Sequence, residues 1–269
     1  DGCTNLSEMT IPRSVVEIGG NAIPATCTIK VYQPSAGYDY RSTNRIVLNE
    51  SFTTGNAIYQ YIINDDGYAE ITGCKTTSTE LTVPTNINGT IINKIGDYCF
   101  AKCSTIKNIT IPTNITNIGK HAFEECYGLV NATIPTTVDE VGDYAFKNCT
   151  GLKNVTISEG VQTIGKGVFY NCTSLAEAVV PDTASHVGAY AFYNCSSMTT
   201  ATIGTIAESI GDYTFYNCKK LENIVIGYNV KTIGDYAFYG CALGRVSIPS
   251  VTTSIGEYAF ADNLKMTKA

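Results

Sequence analysis

The sequence predicts an α/β repeat solenoid, with short parallel strands alternating with helical turns. Three observations carry this. Cys103, Cys126, Cys149, Cys172, Cys195, Cys218 and Cys241 lie 23 residues apart, a strict period that marks stacked repeats. Apolar residues then recur at i, i+2 within each unit, as at Ile109 and Ile111, Val155 and Ile157, and Ile224 and Ile226. That alternation suits a short strand with one buried face. Finally, Gly142-Asp143-Tyr144-Ala145-Phe146-Lys147-Asn148-Cys149 returns with drift at 211–218 and 234–241. Its Ala, Phe and Cys fall at i, i+1 and i+4, on one side of a helical turn.

Each unit reads in the same order. An apolar residue follows the cysteine by three positions (Ile106, Leu129, Leu152, Leu175, Met198, Leu221), and the strand comes next. Pro112, Pro135, Pro181 and Pro249 close it, because proline has no N–H for a ladder. A second apolar column (Ile118, Val141, Ile164, Val187, Ile210, Ile233, Ile255) precedes glycines 119, 142, 165, 188, 211, 234 and 256. Glycine at every such bend implies either φ > 0 or close approach of neighbouring coils. Asp97, Asp143, Asp212 and Asp235, with Glu257, then open the expected helical turn, whose free N–H groups favour an acceptor. Phe100, Phe123, Phe146, Phe169, Phe192, Phe215, Phe238 and Phe260 form the bulkiest core column, each ring worth about 1.5–3 kcal/mol by area.

Eleven cysteines in 269 residues would ordinarily suggest a disulfide framework. Here equivalent residues stack at the strand spacing of about 4.8 Å with parallel side chains, whereas a disulfide needs a dihedral near 90°. A column of buried thiols acting as small hydrophobes is expected. No CxxC or Cys/His cluster supports a metal site, and no cofactor is implied.

The flanks divide the chain. Residues 1–49 read as the C-terminal end of a first array: 3–23 repeat the columns of 103–123, the strand at 28–32 closes them, and an irregular or helical tail follows. Residues 50–74 read as a connector (50–57) and a capping hairpin, with Asn64-Asp65-Asp66-Gly67 as its turn. The hairpin covers the edge of the second array, residues 75–269, where a bare terminal repeat would invite association. Asn88-Gly89 marks a further small hairpin. The chain begins and stops inside a repeat, so a longer parent chain is expected.

Net charge is −6, from 18 basic and 24 acidic residues without a basic run, which argues against nucleic acid. No apolar stretch of about 18 residues is present to span a membrane. The two histidines, His121 and His186, lack the spaced partners of a triad. His121 falls in the column of Tyr98, Tyr144 and Tyr190, and His186 in a turn. Glu124-Glu125 reads as a solvated acidic pair.

The pattern Leu-x-x-Val-x-Ile-x-x-x-Val-x-x-Ile-Gly-x-x-Val-Phe-x-x-Cys at 152–172, with close copies at 129–149 and 221–241, resembles the BspA-like leucine-rich repeats. Departures are Asn263 in place of an eighth cysteine and Ile23 in place of a core phenylalanine. The resemblance implies a leucine-rich-repeat-type curved superhelix of short parallel strands with helical turns on the other side; the hairpin read above would be its cap between two arrays. It also implies an extracellular setting, an association with adhesion, and no enzymatic activity.

Two surfaces are candidates for a partner. Tyr190/Tyr193, Tyr213/Tyr216 and Tyr236/Tyr239, extended by Tyr170 and Tyr258, put two tyrosine columns on one outer side, a ribbon of about 20 Å at the strand repeat. Tyrosine combines rigid apolar area with a hydrogen-bonding tip; the plainer reading is that the rings only cover the turn. On the strand face, where leucine-rich repeats commonly bind, the outward column reads Asn108, Asn131, Asn154, Glu177, Thr200, Asn223 and Arg245. Ladders of such polar residues also simply stabilise sheets. Asn-x-Ser/Thr sequons recur, among them Asn108, Asn131, Asn148, Asn154, Asn171 and Asn194, and repetition accounts for most of them. The expected function is a non-enzymatic cell-surface or secreted module that binds an extracellular protein or glycan. A passive spacer presenting other domains is the alternative.

Overall fold

The computed structural model describes residues 50–266, together with the strands Glu8–Ile11, Thr28–Val31 and Arg45–Val47. These three strands pair in parallel in that order. The strand expected at 28–32 is therefore present, but it lies between the other two rather than closing the sheet, because the expected irregular tail contains a third strand. The other positions assigned to the first array, Ile23 included, lie outside the described residues.

From residue 80 onward the chain is a parallel β-solenoid with two ladders per coil. One ladder joins Glu80–Thr82, Asn108–Thr110, Asn131–Ile134 and Asn154–Ile157, and resumes as Glu177–Val179, Thr200–Thr202 and Asn223–Val225. The other runs from Thr90–Ile95 through the two-residue strands ending at Ile118, Val141, Ile164, Val187, Ile210, Ile233 and Ile255. Each contains one of the predicted apolar columns, because the buried side chains of a short strand fix which face turns inward. His186 lies in this second ladder, exposed, rather than in a turn.

The hairpin forms as expected, with Ala57–Ile63 antiparallel to Ala69–Thr76. Its second strand then joins the second ladder in parallel, placing Ile71 beside Ile95. The segment read as a connector is largely strand: Glu50–Thr54 adds an antiparallel edge. Tyr59 is fully buried on this sheet and closes the core. Its ring meets Phe100 edge-on at 6.4 Å and stacks on Phe52 at 5.1 Å. Asn86–Ile87 and Thr90–Ile95 make the small second hairpin around Asn88-Gly89.

Behind the cap, the phenylalanine column stacks with centroids 4.8 to 5.4 Å apart. Beside it run the thiols, all free among the described residues. From Cys126 to Cys241 each S–H donates to the phenylalanine carbonyl of the preceding coil, at 3.0 to 3.2 Å. Burial pushes the Cys172, Cys195 and Cys218 thiols far up from their ordinary pKa, so they remain protonated and inert. Asn263 serves the same end by a stronger bond: its Nδ2 donates to Phe238 O at 2.8 Å while its Oδ1 accepts from Leu243 N at 3.1 Å.

The expected helical turns do not form; no helix occurs among the described residues. The motif at 142–149 gives the reason. Alternate amides tie the turn to itself, Ala145 N to Gly142 O and Lys147 N to Tyr144 O. Those between them cross to the next coil, Tyr144 N to Lys166 O, Phe146 N to Val168 O and Asn148 N to Tyr170 O. A helix would require those amides to point along the chain. The crossing is made possible by two left-handed residues per coil. One set is the aromatic column Tyr98, His121, Tyr144, Tyr190, Tyr213, Tyr236 and Tyr258, with φ between 53° and 63°. The other precedes each core cysteine and includes Asn148, Asn171, Asn194 and Asn217, asparagine being among the residues that tolerate this region.

Both turn-chemistry expectations sharpen accordingly. The glycine column is required by close approach: a Cβ on Gly142 would lie 2.8 Å from Gly119 C and Lys120 N, while its φ is outside the left-handed range. The aspartates cap no helix. Their Oδ1 atoms accept from the following coil, Asp97 from Lys120 N, Asp143 from Lys166 N, Asp212 from Asp235 N and Asp235 from Glu257 N, at 2.7 to 2.9 Å.

The tyrosine ribbon as candidate binding surface

The turns place both tyrosine columns on the outside of the solenoid. Tyr170, Tyr193, Tyr216 and Tyr239 stack at 4.5, 5.0 and 5.1 Å with planes within 10°. Tyr190, Tyr213, Tyr236 and Tyr258 stack beside them at 4.9, 5.0 and 5.0 Å. Rings of the two columns meet at 5.6 to 5.9 Å with planes tilted by about half a right angle, as in Tyr190–Tyr193, Tyr213–Tyr216 and Tyr236–Tyr239. All eight candidate tyrosines therefore belong to one continuous cluster. Their faces are turned onto one another along the solenoid axis, so the surface presents ring edges and phenol tips.

Three further rings extend it. Tyr98 stacks on His121 at 4.6 Å and His121 on Tyr144 at 5.3 Å. Gly167 interrupts this column, and Tyr144 leans over the gap: a Cβ there would lie 2.3 Å from its ring. Tyr144 thereby reaches Tyr170 edge-on at 6.4 Å. The aromatic surface thus runs from Tyr98 to Tyr258, about 35 Å at the coil spacing. The extra members share the register of the candidate column, and that register was the signal that could have included them.

Charged side chains flank the ribbon. Lys147 and Lys166 sit over the Tyr144 and Tyr190 rings at 5.6 and 5.5 Å. Toward the C-terminal end Asp212, Asp235 and Glu257, all exposed, adjoin Tyr213, Tyr236 and Tyr258. Desolvation, then the neighbouring phenols, raise the Tyr193, Tyr213 and Tyr236 pKa values, and the carboxylates add to this at Tyr213 and Tyr236. These hydroxyls stay protonated at neutral pH.

Glu124 is not a solvated acid. It is partly buried and accepts from His121 Nδ1 and Lys147 Nζ, each at 2.8 Å. Burial alone would raise its pKa, but the Lys147 bond and charge, with His121, hold it below the ordinary glutamate value. A carboxyl depressed in the folded state stabilises above the unfolded pKa near 4.3 and loses that contribution as pH falls through the folded value. Glu124→Gln is expected to cost about 1 kcal/mol at pH 7 and less at pH 2. Urea midpoints at the two pH values measure this.

On the strand face, Asn131 Nδ2 donates to Asn108 Oδ1 and Asn154 Nδ2 to Asn131 Oδ1, both at 2.8 Å, and Asn108 donates to Glu80. Glu177, Thr200 and Asn223 continue the column in register. Arg245 is exposed but lies outside a strand. The three asparagines are largely occupied with one another. Among the described residues no group of His, Cys, Asp or Glu could hold a metal ion. No helix there is long and apolar enough to cross a membrane.

The fold is shared with solved bacterial proteins. A leucine-rich cell surface protein of Faecalibacterium prausnitzii superposes with a TM-score of 0.62 at 27% identity, over 82% of this chain and 54% of that one. The chain thus spans about half the length of that protein. The leucine-rich repeat protein of T. pallidum gives 0.65 at 22% identity, over 78% and 88%. One from Eubacterium ventriosum gives 0.53 at 21% identity, over 98% and 66%. No curated protein matches the chain in sequence. The model of the BspA type leucine-rich repeat region matches residues 73–199 and 185–269 in six copies. With its 23-residue period, stacked phenylalanines and buried thiols, the chain belongs to the BspA-type leucine-rich-repeat family.

Proposed function

We propose that this chain is a non-enzymatic cell-surface or secreted interaction module that holds an extracellular protein or glycan along its tyrosine ribbon. One observation carries the reading. The aromatic column occupies a left-handed backbone position where glycine costs least, and Gly167 stands there in one coil with φ 60°. Seven other coils place a ring at that position, although such a conformation costs a non-glycine residue of order 1 kcal/mol or more. The rings lie outside the hydrophobic core, which Phe, Cys and the two strand columns fill. Their product is an extended surface of phenols.

An external location is supported by the family and by the cell-surface description of the F. prausnitzii protein. Adhesion to host or neighbouring cells is the role that such a surface would serve. The strand face is the second choice, because its asparagines already satisfy one another.

The test is a screen of the chain against immobilised matrix proteins and glycans, followed by the triple variant Tyr193→Ser, Tyr216→Ser, Tyr239→Ser. Binding of any hit is expected to fall at least about a hundredfold, as for loss of central aromatic anchors, with cooperative melting retained. Unchanged binding by the triple variant removes the ribbon from the reading. A screen without hits favours the spacer.

A further inference from the structure

We infer that the ribbon's ligand is a β-1,4-linked polysaccharide without acidic groups, lying parallel to the solenoid axis with about one sugar per coil. This rests on the ribbon being the binding surface and adds the chemical class of what it binds. The first reason is pitch. Phenols repeat along both columns every 4.5 to 5.1 Å. An extended peptide advances about 3.3 Å per residue and returns a side chain to the same face about every 6.6 Å. It therefore loses register with the rings within two coils. A β-1,4-linked pyranose chain advances by roughly one ring and its bridging oxygen per unit, close to the spacing of the coils; successive units are turned by about half a turn, so the same edge returns at every second coil and the chain stays commensurate with the column.

The second reason is the presented chemistry. Ring faces are consumed by stacking, so what remains is a comb of hydroxyls, which donate to and accept from sugar hydroxyls. Beside the comb stands a row of carboxylates. Asp212 and Asp235 each use Oδ1 to accept the next coil's N–H, at 2.9 and 2.7 Å. That bond fixes the side chain and leaves the other oxygen, on an exposed residue, to accept from a ligand hydroxyl. A polymer carrying carboxylates or sulfates would meet Asp212, Asp235 and Glu257 as like charges, whereas a neutral one meets pre-oriented acceptors.

The experiment titrates the full chain with cello- and chito-oligosaccharides of two to six sugars, followed by calorimetry and by tyrosine fluorescence, which no tryptophan obscures. At least one series is expected to gain about tenfold or more in affinity from the disaccharide to the tetrasaccharide, as hydrogen bonds accumulate, and then to level off. Four sugars match the four rings of each column. The β-1,3-linked laminarihexaose, whose repeat does not keep this pitch, is expected to bind at least tenfold more weakly than the better β-1,4 hexamer. Tyr216→Phe keeps the stack and deletes one hydroxyl; a loss of about fivefold is expected, the scale of one hydrogen bond, with melting unchanged.

Failure to bind either β-1,4 hexamer, or affinity independent of length and linkage, overturns the inference. If the triple serine variant nonetheless loses a protein hit from the screen, the ribbon stands as a protein-binding surface and the glycan assignment alone falls. If the hexamers bind the triple variant as tightly as the parent chain, the ribbon itself is the wrong site.

Discussion

Phe169→Ala is expected to destabilise the array by about 3–5 kcal/mol, the cost of emptying a buried phenylalanine site. The ring is fully buried and stacked on both sides, 5.4 Å from Phe146 and 5.3 Å from Phe192. Its removal takes away two ring contacts and leaves a gap that cannot collapse, because the backbones on either side are held apart by ladder and turn hydrogen bonds. Phe260 provides the internal comparison. Among the described residues it stacks only on Phe238, and it is partly exposed, so Phe260→Ala should cost about half as much. Solenoid stability is close to a sum of nearest-neighbour terms, and urea unfolding of the two variants reads that sum directly. Equal losses at the two sites would mean that the column is not what couples the coils.

Gly142→Ala is the second large effect, expected at about 3 kcal/mol, toward the upper part of the range for overpacking. A glycine with ordinary φ and open space around it normally gains about 0.4–1 kcal/mol on becoming alanine. At Gly142 the sign reverses, because the new methyl would sit 2.8 Å from backbone atoms of the preceding coil and 3.0 Å from Ile118 O. Backbone cannot swing aside as a side chain can. The coils must separate, weakening Gly142 N to Ile118 O and Phe123 N to Ala145 O across the same interface. Hydrogen exchange should show those amides opening first. Gly244→Ala is the control: its nearest contact would be Lys265 O at 3.8 Å, so it should be neutral or slightly stabilising.

Much of this was legible in the residues because a 23-residue period repeats each environment. Phe100 through Phe260 and Cys126 through Cys241 could be placed in the core without coordinates, since every column showed one kind of side chain. The capping hairpin was legible through its Asn-Asp-Asp-Gly turn. The strand at 50–54 was not, because its alternation is short and polar and it pairs only with the hairpin. Glu124 looked solvated because its partners, His121 and Lys147, belong to two different coils. The tyrosine columns could be counted, but not the crossing at Gly167, which depends on a ring leaning into space that a missing Cβ leaves free.

The sequence by itself determined the period, the buried columns, the first ladder and the outward position of the tyrosines; the second ladder, read only as an apolar column before each glycine, came from the structure. Tertiary structure decided the conformation of the turns. Ala, Phe and Cys at i, i+1 and i+4 suit one side of a helical turn, and they suit equally a left-handed-linked turn pressed against its neighbour. Either backbone buries the same side chains, so the pattern of burial cannot separate them. What separates them is the destination of each amide proton. In a helix it goes to the chain's own carbonyl four residues back; here alternate amides find a carbonyl in the next coil. That partner exists only once the coils have stacked, with glycine allowing the approach, and the same approach sets the 5 Å spacing of the tyrosine ribbon.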